Sequence, residues 1–159
     1  MEKRINHKSI VLESYQGTLD FGEQLGKILP ENSTLLLKGD LGAGKTTFVQ
    51  GIGKGLGIID PIVSPTFILI NEYYQGHLPL YHLDLYRTEK NMVEDLFLEQ
   101  YWEEQDISPG ITVIEWPERL SYLPLNYLKI DFFYISDISR QIILTTVGNF
   151  SFDSIKHLN

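Results

Sequence analysis

Eight consecutive residues, Gly39-Asp40-Leu41-Gly42-Ala43-Gly44-Lys45-Thr46, match G-x-x-x-x-G-K-[ST] without deviation. Glycines in such a turn let backbone N–H groups face a bound phosphate, and a following helix N-terminus adds partial positive charge. A lysine at the position of Lys45 reaches the β- and γ-phosphates of a nucleoside triphosphate, and the Thr46 hydroxyl is suited to ligate Mg²⁺. The pattern carries this meaning only between a strand and a helix. Both flanks comply. Thr34-Leu35-Leu36-Leu37-Lys38 is a short apolar run, as expected of a strand buried on both faces of a parallel sheet. Thr46 to about Leu56 reads as a helix, with Phe48, Val49, Ile52 and Leu56 on one face. Gly39 to Thr46 and the adjoining Thr47 are therefore the expected nucleotide contacts.

A phosphate loop of this kind needs a further acidic group for its metal, usually at the end of a neighbouring buried strand. Thr112-Val113-Ile114-Glu115 places Glu115 at such an end, and ligands of open α/β sheets bind at that edge. His82 and Asp84 alternate along another strand and so share a face with Leu80 and Tyr86. His82 reads either as a satisfied structural histidine or as a group that orients a water or the metal's outer shell. Asp84 has the stronger claim on function, because a core carboxylate is costly unless a cation lies near it. Arg87 reads equally as a phosphate clamp or a strand-end surface charge. Ser64-Pro65-Thr66-Phe67 offers hydroxyls that can sense a γ-phosphate, with Thr66 joining Asp84 and Glu115 as a catalytic candidate. Spacing alone makes the same segment a capped turn with its backbone fixed by Pro65.

These residues need elements to hold them. Residues 9–12 form a short first strand. A helix over 18–29 follows, N-capped by Thr18 and stopped by Pro30. After the phosphate loop and its helix, 67–74 and 78–86 read as a hairpin turned near Gln75-Gly76. A helix follows over 94–101, then a buried strand over 111–114 and a closing strand pair over 128–134 and 141–147. Gly51, Gly53, Gly55 and Gly57 lie within and just after a predicted helix, so they serve close packing and helix termination. They do not form the dinucleotide pattern. The sum is a single three-layer α/β domain over 1–159, P-loop NTPase-like, with a mixed parallel and antiparallel sheet.

Composition limits what such a domain does. The 159 residues carry 21 Asp+Glu against 13 Lys+Arg, a net charge of −8. A protein that grips DNA or tRNA by itself needs a basic face, and this balance runs the other way. Cys 0 removes disulfides, thiolate catalysis and Cys-ligated zinc. No apolar run nears the roughly 18–20 residues that span a bilayer, and residues 1–8 lack the apolar stretch of a signal peptide. A cytoplasmic, membrane-free protein is expected.

Four motifs in order resemble the TsaE family (also called YjeE). They are the phosphate loop continued by Thr47-Phe48, then Ser64-Pro65-Thr66-Phe67, His82-Leu83-Asp84-Leu85-Tyr86-Arg87 and Ile114-Glu115-Trp116-Pro117-Glu118-Arg119. The resemblance spans almost the whole chain. It implies a small ATPase of bacterial threonylcarbamoyladenosine tRNA modification that uses ATP/ADP and Mg²⁺. It further implies partners of the TsaD and TsaB families, weak hydrolysis without them, and tRNA contacted only through the complex. Carried over residue by residue, Lys45 and Thr46 hold phosphate and metal, and Glu115 serves the metal. Asp84 and Trp116 belong to the functional centre, and Thr18 and Arg140 flank the nucleotide. Two other readings stand beside this one. A small-molecule kinase usually carries an arginine-bearing lid, whereas Arg4, Arg87, Arg119 and Arg140 form no cluster. A nucleotide-sensing switch grades into the first reading. A GTPase would bring N-K-x-D, which neither Asn91-Met92 nor Asn126-Tyr127 supplies.

Overall fold

The computed structural model describes residues 6–65, 69–103 and 107–159. Thr66, Phe67 and the start of the predicted hairpin lie outside the described residues. The chain runs β1 (Asn6–Leu12), α1 (Tyr15–Ile28), β2 (Ser33–Lys38), α2 (Lys45–Leu56), β3 (Ile70–Tyr73), β4 (Leu80–Asp84), α3 (Lys90–Glu94), β5 (Ile111–Glu115), β6 (Tyr127–Tyr134) and β7 (Arg140–Val147). Short 3-10 turns occupy Leu98–Tyr101, Pro117–Arg119 and Phe152–Ser154.

All seven strands join one sheet, in the order β1-β7-β6-β2-β5-β4-β3. Strand β2 is parallel to both β5 and β6, and β4 is parallel to β5. The two margins are antiparallel, through β1/β7/β6 and β3/β4. The expected mixed sheet is thus present. Its centre explains the unbroken apolar runs, because every residue of β4 and β5 is buried.

Successive side chains of β2 serve opposite layers. Leu35 and Leu37 enter a core with Phe21, Leu25, Phe48 and Ile52 of α1 and α2. Leu36 enters a smaller cluster with Leu83, Ile114, Val93 and Leu98 beneath α3 and its 3-10 turn. In the larger layer α1 and α2 meet backbone to backbone. A Cβ on Gly51 would lie 2.3 Å from the Leu19 carbonyl oxygen, and one on Gly22 would lie 2.4 Å from that of Phe48. Gly57 ends α2 with φ 86°, the left-handed cap that glycine adopts without strain. Gly51 and Gly55 therefore record helix contact, while Gly53 makes room for the Ile62 side chain.

Three elements differ from expectation. Helix α1 starts earlier, capped by Ser14, whose Oγ accepts from the Gly17 N–H at 3.0 Å. Thr18 is not the cap; it sits buried inside the helix. The helix expected over 94–101 is broken. Phe97 takes φ 51°, resetting the chain between α3 and the Leu98–Tyr101 turn. A continuous helix would bury Phe97 with Val93, four residues earlier. The left-handed step buries Leu98 instead and leaves Phe97 67% exposed. The β4 strand also stops at Asp84, so Tyr86 lies in the turn beyond it.

Candidate functional site

The carboxyl ends of β2, β4 and β5 meet at one edge because the three strands are parallel neighbours. From β2 the chain passes through Gly39–Gly44 into α2. Asp84 ends β4 and Glu115 ends β5, and the two are paired across the sheet. This register turns carboxylates far apart in sequence into neighbours facing the glycine turn. A cleft of about 230 Å³ gathers Lys45, Thr46, Asp84, Glu115 and Trp116 with Ser64 and part of the loop.

Positive φ at Gly42 (77°) and Gly44 (102°) shapes the loop, and the Ala43 N–H closes back on the Asp40 carbonyl at 3.1 Å. Its outer side is pinned by the β6–β7 hairpin. Arg140 Nε donates to the Ala43 carbonyl at 3.0 Å and its Nη2 to the Gly42 carbonyl at 3.3 Å. The Tyr134 hydroxyl donates to the Leu41 carbonyl at 2.9 Å, and the Arg140 guanidinium lies 4.2 Å from the centre of the Tyr134 ring. In a trans peptide the N–H points opposite the C=O. Pinning the carbonyls of 41–43 on the hairpin side therefore turns the amides of Gly42 and Gly44 away from it.

The charged groups of the cleft are buried: His82 is 0%, Glu115 2%, Lys45 5% and Asp84 6% exposed. Burial pulls the Lys45 ammonium below the ordinary lysine value, while Glu115 and then Asp84 push it back up. Its Nζ donates to the Gly39 carbonyl at 2.6 Å and lies 4.0 Å from the centre of the Trp116 ring. Trp116 holds that place with φ 58°, a strained backbone for a tryptophan, and meets the Tyr86 ring at a tilt of 44° with centroids 4.9 Å apart.

His82 donates from Nε2 to Glu115 Oε2 at 2.6 Å, which fixes the carboxylate's direction. The Ser64 hydroxyl donates to Asp84 Oδ2 at 2.8 Å, and the Tyr86 N–H donates to its Oδ1 at 3.0 Å. Asp84 thereby ties the segment before Thr66 to the end of β4. Thr66 itself lies outside the described residues. Arg87 is exposed in the turn after β4.

Across the loop lies a second cleft of about 180 Å³, lined by Thr18, Thr47 and Arg140 with Tyr15, Asp137 and Ile138. The expected site residues thus divide into two groups about one loop. Sequence reasoning did not single out Tyr134, Tyr15 or Ile138. Tyr134 was within reach, since pairing the two closing strands sets it opposite Arg140. The Trp116–Lys45 contact had no such signal, as it follows from a left-handed residue within a turn.

A central strand that runs through a glycine turn into a helix, with carboxylates ending the two parallel strands beside it, defines a mixed α/β domain of the strand–loop–helix class. Residues 12–142 match the family model of the threonylcarbamoyl adenosine biosynthesis protein TsaE, and the chain belongs to that family. It is 55% identical over 136 residues to the tRNA threonylcarbamoyladenosine biosynthesis protein TsaE of Nostoc sp., covering 86% of this chain and 84% of that one. With the Bacillus subtilis protein of the same description it shares 47% over 116 residues, 72% of this chain and 70% of that one. The crystal structure of Bacillus subtilis YdiB superposes with a TM-score of 0.79 at 31% identity, covering 98% of this chain and 95% of that one. Among the described residues no helix is long and apolar enough to cross a membrane.

Proposed function

We propose that this protein binds ATP with Mg²⁺ across the two clefts and hydrolyses it as the ATPase component of tRNA threonylcarbamoyladenosine biosynthesis. One observation carries the reading: the glycine turn and Lys45 face two paired, buried carboxylates, Asp84 and Glu115. Burying two such groups side by side is unfavourable unless cations join them. Among the described residues no cluster of three or more His, Asp or Glu could hold a metal. The donors at hand are oxygens, the Thr46 hydroxyl and the two carboxylates, which suits a hard ion that also draws ligands from phosphate. Mg²⁺ bound there supplies neutralisation of charge on the phosphates.

The chain's own groups do the rest. The Gly42 and Gly44 amides and the N-terminus of α2 receive the phosphates, and Lys45 supplies a fixed positive charge. His82 is a positioning residue that aims Glu115. Asp84 orients the attacking water, and its bond to Ser64 links that task to the loop leading to Thr66. The second cleft takes the nucleoside between Tyr15, Thr18, Ile138 and Arg140. The family resemblance supplies the partners, TsaD- and TsaB-like proteins, with tRNA reached through them. The acidic balance of the chain agrees with that division of labour.

Lys45→Ala tests the reading. It removes the buried cation beside Asp84 and Glu115 but leaves both apolar clusters intact, so the circular dichroism spectrum should be kept although the melting temperature falls. Calorimetric titration should find ATP affinity lost. Near wild-type affinity would remove the nucleotide from this site.

A further inference from the structure

We infer that the face formed by α3 and the Leu98–Tyr101 turn is a docking site for a basic, apolar-anchored segment of a partner protein. A pocket of about 330 Å³, larger than either nucleotide cleft, opens there between Val93, Phe97, Leu98, Trp102 and Leu120. Three features ask for an occupant. Among the described residues the buried Trp102 indole N–H has no hydrogen-bond partner, which leaves this wall of the pocket less well satisfied than the core. Phe97 stands 67% exposed on a left-handed backbone, with Met92 53% exposed nearby. Glu94 and Glu99 border the same pocket.

Charge fixes what the occupant is. Residues 89–103 carry five carboxylates, Glu89, Glu94, Asp95, Glu99 and Glu103, against one lysine, Lys90, so half of the chain's net charge of −8 falls in this stretch. That field repels phosphate and so excludes RNA from the face. It attracts lysine and arginine. The fitting partner offers a leucine- or phenylalanine-sized side chain for the pocket, packed against the Trp102 ring, and flanking basic residues for Glu94 and Glu99. Leu120, in the pocket wall, belongs to the same apolar cluster as Trp116. A segment seated here therefore reaches the candidate site's wall through packed side chains. The inference goes beyond the nucleotide reading and stands without it.

The test uses the intact protein and an amphipathic leucine–lysine peptide. Trp102 and Trp116 are the chain's two tryptophans, so its ¹⁵N spectrum has two indole signals, assigned with Trp116→Phe. The peptide should shift the Trp102 signal, and added salt should weaken the effect. Glu94→Lys with Glu99→Lys should lower peptide affinity about tenfold or more, with ATP binding and the melting curve kept. A control, Glu31→Lys with Asp153→Lys, makes the same charge change away from the pocket and should leave most of the affinity. Phe97→Asn, which tolerates the left-handed backbone, should weaken binding without unfolding. An unmoved Trp102 signal overturns the proposal. So does an equal loss in the control pair, which would reduce the attraction to bulk charge.

Discussion

The two faces of the sheet are built differently. Under α1 and α2, glycines bring two helices into backbone contact over a large continuous core. Under α3, a five-residue helix, a left-handed phenylalanine and a 3-10 turn cover a smaller cluster, leaving an open pocket and an indole N–H with no partner among the described residues. The glycine turn is anchored on the first face, since it leads directly into α2. Trp116 packs against the cluster of the second. The difference assigns rigidity to the glycine turn and adaptability to what neighbours the carboxylates.

If that division holds, damage to the carboxylates should slow turnover and spare binding. Asp84→Ala and Glu115→Ala should lower ATP hydrolysis by a factor of roughly 10²–10³, the cost of losing one electrostatic stabiliser, while Kd changes modestly. Glu115→Ala also orphans buried His82, so Glu115→Gln, which keeps an acceptor, separates lost chemistry from lost packing. Steady-state rates beside titration calorimetry decide. Full turnover in the Asp84/Glu115 double variant would place the chemistry on other strands.

The first face should fail as a whole when its helix contact is wedged. Gly51→Ala puts a methyl group into the Leu19 carbonyl. It should cost about 2–3 kcal/mol, a melting-temperature drop of about 4–12 °C. Because α2 carries the loop, nucleotide affinity should fall with it. A variant as stable as wild type would show that the two helices separate freely.

Much of this arrangement was legible in the sequence, for physical reasons. The apolar runs of β2 and β5 cannot be satisfied outside a buried sheet, and the glycine–lysine–threonine pattern has one structural context. Glu115 could be placed at a strand end and Asp84 on a strand face; their pairing needed the parallel register between β4 and β5, which no local signal carries. Ser14 and Thr18 are both competent caps, and local sequence does not choose between them. The break at Phe97 was hidden, because nothing in Asp95-Leu96-Phe97 signals a left-handed residue. Tertiary burial of Leu98 selects it.

Smaller in size is the effect expected at the hairpin that pins the loop. Tyr134→Phe removes the bond to the Leu41 carbonyl but leaves the ring beneath Arg140. Stability should change by about 1 kcal/mol or less, since the exposed carbonyl finds water. ATP affinity should nevertheless fall several-fold, because the loop's amides lose one of their fixed directions. Unchanged affinity would mean that the helices alone set the loop.

The smallest effect, and the one confined to the second face, is alkaline loosening. The Glu72 carboxylate accepts from the Tyr74 and Tyr101 hydroxyls at 2.8 Å each. Tyr101 is pushed up to about 12, first by burial and then by that carboxylate. Tyr74 is raised too, first through its bond to Glu72. In the unfolded chain these phenols ionise near 10, so between about 10 and about 12 the unfolded state has released protons that the folded state still holds. Unfolding is then favoured by proton release, and the stability present below pH about 10 is lost as pH rises through the folded values. Denaturant midpoints should be lower at pH about 11 than at about 9, and hydrogen exchange should quicken around Tyr101 before it does in α1 and α2. Glu72→Gln removes the repelling charge, so Tyr101 should titrate nearer its ordinary value and the alkaline loss should shrink. Equal loosening of α1 and α2 at the same pH would mean that the two faces melt as one unit.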